Sequence, residues 1–336
     1  MQKKLTISIA AYNVEKFLPK LLDTIITADK MKDIEVLIIN DGSKDSTTEI
    51  AEEYHEKYPE DIFLVDKKNG GHGSTINKGI EVASGKYFKV IDGDDWVDSE
   101  GLARLVENLE KEDSDMIITD YLEIYENSGE IVEKKYPMFK PYEKYDFGEI
   151  CNKVDRLVFH AVYFKTEILK QNNIKIDENC YYVDSEYVIF PIPYVETLMY
   201  YPINVYCYRL GDIGQSMSFE SLQRNIEMHK KVSMRLLHFL NSQPDLNDNV
   251  IAFLKSSIIM VNNRTLEILM SFKCKKTYKQ DIKRLYKEMK EVIPDARNYI
   301  PTKTMRVMLK NIDLYYLPAW IWLKIKANKK RRATNK

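Results

Sequence analysis

A group of carboxylates follows a short apolar run in the segment Lys86–Trp96, which reads KYFKVIDGDDW. The apolar part, Tyr87–Ile91, has the length and the β-branched and aromatic composition of a buried strand. Carboxylates at one strand end repel one another, and hard cations such as Mg²⁺ or Mn²⁺ bind oxygen ligands of this kind while a phosphate supplies further ligands. The motif predicts a metal site that binds a diphosphate; the structural alternative is an acidic turn in which Asp98 or Ser99 caps the next helix. The three carboxylates are Asp92, Asp94 and Asp95.

The bulk composition restricts the class of protein. The chain has 336 residues, of which 44% are hydrophobic and 30% charged, and its formal net charge is −1. This length allows one large domain or two, and the near-neutral charge argues against a nucleic-acid binder that works by bulk charge. Four scattered cysteines form no C-x-x-C pair, which favours a reducing compartment. The first residues favour a strand over a signal peptide, and no apolar run approaches the roughly 20 residues that span a bilayer, so we expect a cytoplasmic protein.

Strand and helix patterns alternate over residues 1–120. Strands are predicted at Leu5–Ala11, Glu35–Asn40, Ile62–Val65, Tyr87–Ile91 and Met116–Thr119, and helices at Glu15–Ala28, Ser46–His55, Ser74–Ala83 and Leu102–Lys111. The Ser46–Glu49 segment has the sequence of a capping box. Repeated β-α units with non-alternating strands predict a mostly parallel sheet with helices on both faces, whose ligands bind beyond the carboxyl ends of the strands. One crevice should therefore collect Asn13, Asp41, Asn69–Gly73 and Asp92–Asp95.

The pattern changes after residue 120. A hairpin is predicted from Leu122–Tyr125 and Ile131–Tyr136, and two further strands from Val158–Phe164 and Met199–Tyr208. Helices are predicted near Leu222–Leu240, Asn249–Ser271 and Tyr278–Glu291. We therefore expect a first domain over residues 1–219, with a nucleotide-binding half (1–120) and an acceptor half (121–219), followed by a helical C-terminal region over residues 220–336.

Several ordered segments resemble the family 2 glycosyltransferases, which are nucleotide-sugar enzymes of the GT-A fold. The resemblance covers residues 5–217. It implies a GT-A-type, Rossmann-like α/β sheet, a nucleotide-sugar donor (a UDP-sugar in particular) and Mn²⁺ or Mg²⁺ as cofactor. The segments that carry it are SIAAYNVEKFL (Ser8–Leu18), EVLIINDGSKDST (Glu35–Thr47), NKG (Asn77–Gly79) and ASGKY (Ala83–Tyr87).

The resemblance also implies roles for individual residues. Asp94 and Asp92 would ligate the metal, Asp92 would also contact the ribose, and Asp41 would accept a hydrogen bond from the imide of uracil. The family's catalytic base is a downstream aspartate, and the segment CYYVDSEYVIF places it at Asp184, with Glu186 as the rival. The remaining nucleotide-sugar contacts would be Ala11, Tyr12, Asn13, Gly71, His72, Gly93 and Arg209.

For some of these residues a purely structural role is the alternative. Asp41 would otherwise cap the helix that begins near Ser46, and Tyr12 would be a tyrosine at the edge of the core. His160 would line the acceptor side or be a satisfied strand histidine, and Gly211–Ser218 would be a mobile lid or an exposed loop.

The chain departs from the family pattern at two places. The opening segment has Ala10 or Ala11 where the family usually has proline. The family's arginine before the D-x-D strand is missing from Asn69–Asn77, which reads NGGHGSTIN. There His72 would cover the base or a phosphate and the glycines would allow a ligand to approach the backbone, whereas the alternative is a flexible turn.

Together these features predict a metal-dependent, inverting hexosyl- or N-acetylhexosaminyltransferase. It would add a single sugar to a hydroxyl of a saccharide or lipid-linked saccharide in surface polysaccharide or glycolipid synthesis. The Q-x-x-R-W signature of processive membrane synthases is missing. The tail Leu314–Arg332 combines aromatic residues with a basic cluster, which predicts docking on the inner face of the cell membrane; the alternative is a packed terminal helix.

Two other classes are considered. One is a catalytically silent sugar-nucleotide-binding homologue that acts in a complex. The other is a haloacid-dehalogenase-type phosphatase, which would need its nucleophilic D-x-D after an early strand, whereas the first strand here runs into Ala11-Tyr12-Asn13.

Overall fold

The computed structural model describes residues 2–211, 219–243, 246–272, 276–318, 320–321 and 325. The chain divides into two compact units, residues 1–213 and 214–336. The first unit is α/β and the second is helical, which confirms the predicted fold class. The domain boundary expected at residues 219 and 220, and the two halves expected within the first domain, stay predictions.

Within the described residues, the strands belong to one sheet of the first unit. They are β1 (Leu5–Ala11), β2 (Ile34–Asn40), β3 (Ile62–Asp66), β4 (Tyr87–Asp92), β5 (Trp96–Val97), β6 (Met116–Tyr125), β7 (Glu130–Lys134), β8 (Glu143–Asp146), β9 (Val162–Lys165) and β10 (Thr197–Leu210). Their order is β3-β2-β1-β4-β9-β6-β10-β5, with β7 paired to β6 and β8 to β10. The four strands β3, β2, β1 and β4 are parallel, as are β6 and β10, whereas β9 runs antiparallel to both of its neighbours. The core of the sheet is therefore the parallel arrangement that the apolar strands predict.

Helices surround this sheet and explain why its inner strands are apolar on both faces. All seven residues of β2 are buried, as are six of the seven in β1. A strand covered on both sides has no solvent-facing row, so its sequence does not alternate. The helices of the first unit are α1 (Leu18–Thr27), α2 (Thr47–Lys57), α3 (His72–Val82), α4 (Ser99–Asn108), α5 (Phe147–Ile150), α6 (Thr166–Gln171) and α7 (Asp184–Ile189).

The register of the sheet positions the predicted crevice. Ala10 of β1 pairs with Asp92 of β4, and Ala11 pairs with Asn40 of β2. The carboxyl ends of the three strands therefore lie side by side. The segments that follow them begin at the same edge, where ligands of open α/β sheets bind.

Three local predictions are corrected by the structure. Ser46 precedes α2, but its side chain makes no capping bond; instead Asp45 Oδ1 accepts from Thr47 N (3.1 Å) and Glu15 Oε2 accepts from Ser46 N (2.9 Å). The strand expected at Val158–Phe164 begins only at Val162. The helix expected at Leu222–Leu240 is two helices that separate at Asn225. Asp98 does cap α4, accepting from Gly101 N at 2.7 Å.

The second unit consists of helices in its described residues. They are α8 (Phe219–Arg224), α9 (Ile226–Asn241), α10 (Asp248–Ser271), α11 (Lys276–Val292) and α12 (Lys303–Met308), and residues 312–318, 320–321 and 325 are also helical. None of the helices in the described ranges combines the length and the apolar composition that crossing a membrane requires. Residues 212–218 of the lid expected at Gly211–Ser218, and the basic end of the tail at 326–332, lie outside the described residues.

Candidate functional site: an acidic corner at the carboxyl edge of the sheet

The carboxylates that follow β4 form a compact acidic corner, defined here as Asp92, Asp94 and Asp95. One oxygen from each lies within 4.8 Å of the others. The turn that brings them together is closed by Asp95 N, which donates to Asp92 O at 3.0 Å. Gly93 N donates to Ala10 O at 3.0 Å, and a Cβ on Gly93 would lie only 2.9 Å from the same oxygen. Glycine is therefore required for this close approach of the turn to β1.

Asp95 is the structural member of the acidic corner. It is 2% exposed, and its two oxygens accept from Tyr206 Oη (2.5 Å) and from the backbone N of Arg209 (2.8 Å). The Tyr206 hydroxyl also accepts from Asp92 N at 3.2 Å. Burial and the charges of Asp92 and Asp94 raise the pKa of Asp95 well above its usual range. Through these bonds β10 fixes the turn that carries the other two carboxylates.

Asp92 and Asp94 are the open members of the acidic corner. Their side chains are 34% and 43% exposed. Asp92 Oδ1 lies 2.9 Å from His72 Nε2, an ion-pair distance rather than an aligned hydrogen bond, and Asp94 Oδ2 lies 3.4 Å from Arg209 Nη2. One oxygen of Asp92 thus lies beside the His72 imidazole, and one oxygen of Asp94 lies beside the Arg209 guanidinium.

The pKa values of Asp92 and Asp94 shift in opposite directions because the surroundings of the two carboxylates differ. Burial alone would raise the pKa of Asp92, but His72 outweighs it and holds that pKa below the usual value. Burial, followed by the charge of Asp92, raises the pKa of Asp94, and Arg209 only partly opposes this. Burial would lower the pKa of His72, but Asp92 reverses the direction and raises it. Hard carboxylate oxygens at this spacing, with excess negative charge, fit Mg²⁺ or Mn²⁺.

Asp41 has a different local role from the one that its sequence context suggested. It is 2% exposed, and its carboxylate accepts from Lys67 Nζ (2.6 Å), Gly70 N (2.9 Å) and Gly71 N (2.8 Å). It does not cap α2. Asp41 instead holds the glycine turn before α3, in which Gly71 has a positive φ of 79°. Its contact with a uracil stays a prediction.

The loop before α7 packs against the start of α3. Asn77 Nδ2 donates to Ile176 O at 2.9 Å, and Ile176 N donates back to Asn77 Oδ1 at 2.8 Å. A Cβ on Gly73 would lie 2.0 Å from the backbone oxygen of Asp177. This packing brings Asp184, the first residue of α7, within electrostatic reach of His72.

The two candidate bases occupy different environments. Asp184 has an exposed side chain, but the protein atoms around its carboxylate partly desolvate it and raise its pKa. The charge of His72 opposes this shift. Glu186 has no exposed surface, and its Oε2 accepts from Asp177 N at 2.8 Å. The structure therefore gives Glu186 a part in folding the loop and leaves Asp184 open to a substrate.

The guanidinium of Arg209 binds other groups of the protein. Its side chain is 4% exposed. Nε donates to Asp94 O (3.1 Å), Nη1 donates to Glu126 Oε2 (3.0 Å), and the guanidinium carbon lies 4.1 Å from the centre of the Phe17 ring. Arg209 thus holds Asp94 in place. Its expected contact with a diphosphate stays a prediction.

The residues after β1 line the same edge of the sheet. Tyr12 is 46% exposed, so it is not a packed core-edge tyrosine. Asn13 adopts a positive φ of 54°, its N donates to Ser43 Oγ (3.0 Å) and its Oδ1 accepts from Lys44 N (2.8 Å). Ala11 O accepts from Asp41 N at 2.8 Å. These contacts join the segments after β1 and β2, as the expected crevice requires.

Sequence reasoning missed several residues at the site. Tyr206 lies in β10 and Glu126 in the turn after β6, both far from the acidic corner in sequence, and nothing in their local sequence marks them. Lys89 did carry a signal, because it is a charged residue within an apolar strand. His160 lies in the turn before β9, not in a strand, and its ring stacks on Tyr208 with centroids 4.1 Å apart.

The fold and the acidic corner define an α/β protein of the GT-A class. The crystal structure of S. aureus TarS 1-349 in complex with UDP-GlcNAc matches with a TM-score of 0.68 over 97% of this chain and 92% of that chain, at 17% sequence identity. The likeness confirms the predicted GT-A fold.

Relatives and a family model identify the family. The model of glycosyl transferase family 2 matches residues 6–172. The putative glycosyltransferase EpsH of Bacillus subtilis is 25% identical over 267 residues, which are 76% of this chain and 75% of EpsH. Glycosyltransferase GlyA of Streptococcus pneumoniae is 33% identical over 126 residues, which are 38% of this chain and 18% of GlyA. The poly(ribitol-phosphate) beta-glucosyltransferase of Bacillus spizizenii is 31% identical over 174 residues, which are 51% of this chain and 26% of that enzyme. The chain belongs to glycosyl transferase family 2, and it spans about a fifth of GlyA and a quarter of the beta-glucosyltransferase.

Proposed function

We propose that the protein transfers a single sugar from a UDP-sugar to a hydroxyl of a saccharide or lipid-linked saccharide, with inversion at the anomeric carbon. One observation carries this proposal: two partly exposed carboxylates, Asp92 and Asp94, lie together after β4, and the exposed carboxylate of Asp184 lies within electrostatic reach of Asp92 and His72. A metal-binding pair and a separate base are what a direct displacement requires.

Asp92 and Asp94 are the residues that would hold Mn²⁺ or Mg²⁺. When bound, such an ion neutralises the negative charge of a diphosphate leaving group. The protein's own part is to fix the two carboxylates. Asp95 fixes the turn through its hydrogen bonds to the Tyr206 hydroxyl and the backbone N of Arg209, and the Arg209 side chain pairs with Asp94.

Asp184 would act as the general base. Its raised pKa favours proton uptake from an acceptor hydroxyl, and positioned bases of this kind contribute roughly 10²- to 10⁴-fold in rate. The acceptor oxygen then bonds to the anomeric carbon while the bond from that carbon to the diphosphate oxygen breaks. A single displacement inverts the configuration.

The relatives support a place in cell-surface polymer synthesis. One of them is named for poly(ribitol-phosphate), and TarS was solved with UDP-GlcNAc. We extend this to a cytoplasmic enzyme whose donor is a UDP-linked hexose or N-acetylhexosamine.

A nucleotide titration and a hydrolysis screen test the proposal. UDP should bind more tightly with Mn²⁺ than without it in calorimetry, and one of UDP-glucose, UDP-galactose, UDP-GlcNAc or UDP-GalNAc should be hydrolysed. Asp94→Asn should lose the Mn²⁺ dependence, and Asp184→Asn should bind UDP but lose turnover by roughly 10²-fold or more. Asp113→Asn is the matched control, because Asp113 is 69% exposed and pairs with Lys165 instead. A wild-type protein that binds no nucleotide would end the proposal, and full turnover in Asp184→Asn would move the base elsewhere.

We also propose that the C-terminal helix contacts an anionic membrane surface. Residues 312–318 and 320–321 are helical, and their spacing places several exposed apolar side chains on one face. Apolar residues on one face with nearby lysines suit the interface of an anionic bilayer. The exposed side chains are Leu314 (63%), Leu317 (54%), Ile321 (46%) and Ile325 (51%).

Vesicle sedimentation tests the membrane contact. The full chain should sediment with vesicles that contain phosphatidylglycerol and not with phosphatidylcholine alone. A chain that ends at Asp313, or the double change Leu314→Ser and Leu317→Ser, should stay in the supernatant. Ile131→Ser, at another exposed apolar side chain, is the control. Equal sedimentation of the full and shortened chains would contradict the proposal.

A further inference from the structure

Two aromatic rings beside the acidic corner form what we call the ring platform, defined as His160 and Tyr208. The two rings are stacked, with centroids 4.1 Å apart and an interplanar angle of 27°. Both residues are partly exposed. Tyr206 and Tyr121 lie against the imidazole at centroid distances of 4.8 and 5.3 Å, so the platform is supported from within the protein.

The polar atoms of the ring platform are available to a ligand. Within the part of the chain that the structure describes, neither ring nitrogen of His160 nor the Tyr208 hydroxyl makes a hydrogen bond. Burial lowers the pKa of His160 to about 3, so the imidazole is neutral at neutral pH and offers one donor and one acceptor. A flat apolar surface edged by unpaired donors and acceptors matches a sugar ring, which presents C–H groups on its faces and hydroxyls at its rim.

The ring platform lies next to the acidic corner, because the Tyr206 ring, 4.8 Å from the imidazole of His160, carries the hydroxyl that donates to Asp95 Oδ2 and accepts from Asp92 N. After burial, the charges that raise the pKa of Tyr208 are those of the acidic corner, followed by Asp184. Asp92 is also the carboxylate that acts most strongly on His160. A sugar attached to a diphosphate at the acidic corner would therefore begin next to these rings.

Lys89 fixes the segment that carries His160. Its ammonium group is buried (1% exposed) and donates to three backbone oxygens: Phe159 O (2.9 Å), His160 O (2.6 Å) and Val162 O (3.3 Å). Burying an ammonium group is unfavourable unless its hydrogens are bonded, and here two carbonyls of the turn before β9 and the carbonyl of Val162, the first residue of β9, supply the partners. The turn is thereby held in one conformation, so the ring platform is formed before any ligand arrives.

We propose that His160 and Tyr208 bind the sugar ring of the nucleotide-sugar donor, with Tyr208 stacking on or hydrogen bonding to the pyranose and His160 supporting it. Lys89 is a positioning residue that acts through the backbone of residues 159–162. This inference rests on the proposed glycosyl transfer and adds the residues that recognise the sugar itself.

Hydrolysis kinetics separate the sugar from the nucleotide. The substrate is whichever of the four UDP-sugars the wild type hydrolyses fastest with Mn²⁺, and UDP serves as a competitive inhibitor that lacks the sugar. Tyr208→Leu and His160→Ala should raise the KM for the UDP-sugar about 10-fold while the Ki for UDP stays within about twofold. Tyr208→Phe keeps the ring and removes only the hydroxyl, so it should raise the KM for the UDP-sugar by about threefold.

A matched variant at the other end of β10 controls for general effects on the sheet. Tyr145 pairs with Leu198 at that end, and Tyr145→Leu should leave both constants at wild-type values. The inference is overturned if Tyr208→Leu and His160→Ala leave the KM within twofold of wild type. It is also overturned if the KM and the Ki for UDP rise together, since the rings would then act on the nucleotide or on the fold. If the wild type hydrolyses none of the four UDP-sugars, the proposed function fails, which is a different result.

Discussion

Replacing Tyr206 by phenylalanine removes one oxygen atom from the support of the acidic corner. That oxygen donates to Asp95 Oδ2 at 2.5 Å and accepts from Asp92 N at 3.2 Å. Tyr206 has no exposed surface and Asp95 is 2% exposed, so water cannot easily replace the lost partner. The change leaves a buried carboxylate oxygen and a backbone N–H without this bond.

The size of the effect follows from those two bonds. Leaving a buried polar group unsatisfied costs about 1–3 kcal/mol, and the ring itself is retained, so no large cavity forms. We expect Tyr206→Phe to lower the free energy of unfolding by ~2–4 kcal/mol, since two groups lose one partner. Because the turn then moves more freely, Mn²⁺-dependent binding of UDP should weaken by about 10-fold.

A second tyrosine of β10 provides the control. Tyr200 Oη donates to Asp120 Oδ1 at 2.8 Å, and both residues are buried, but neither belongs to the acidic corner. Tyr200→Phe should lower the free energy of unfolding by ~1–3 kcal/mol without weakening UDP binding. Urea unfolding followed by circular dichroism, together with calorimetry of UDP and Mn²⁺, measures both quantities. If Tyr206→Phe and Tyr200→Phe have the same effect on UDP binding, the assigned role of Tyr206 is refuted.

Three other perturbations have defined outcomes. Gly73→Ala should lower the free energy of unfolding by ~1–3 kcal/mol, because its Cβ would lie 2.0 Å from the backbone oxygen of Asp177; thermal unfolding measures this. Lys89→Met should lower it by ~2–4 kcal/mol, since three buried carbonyls lose their donor, and should raise the donor KM. Burial lowers the pKa of His229 to about 4, below the unfolded value near 6.5, so the unfolded state binds the proton more tightly. Stability should therefore be lost as the pH falls from 6.5 towards 4, by at most ~3 kcal/mol, and urea titrations of His229→Leu should show a smaller loss.

The local parts of the fold could be predicted because their signals are local. The strand at Leu5–Ala11 matches its predicted bounds, since an apolar run buried on both faces needs no information from the rest of the chain. The strand Tyr87–Asp92 is one residue longer than predicted. The acidic corner was found for the same reason, because its carboxylates are neighbours in sequence.

The partners of the site residues could not be predicted in this way. The bonds that Asp95 receives come from residues 111 and 114 positions later, and they depend on the register of β10. Asp41 was recognised as important, but its bonds to the glycine turn span 29 and 30 positions. The strand expected from Val158 starts four residues late, and the Phe159 and His160 carbonyls that precede it accept from Lys89, which is 70 and 71 positions away in sequence.

The support of the acidic corner by β10 also sets an order for its assembly during synthesis. Asp95 leaves the ribosome long before Tyr206 and Arg209, which supply its hydrogen bonds. Until the last strand joins the sheet, three neighbouring carboxylates have neither the hydroxyl nor the guanidinium that hold them. A nascent or shortened chain that stops before residue 197 would carry the whole D-x-D motif in its sequence and still lack a formed binding corner.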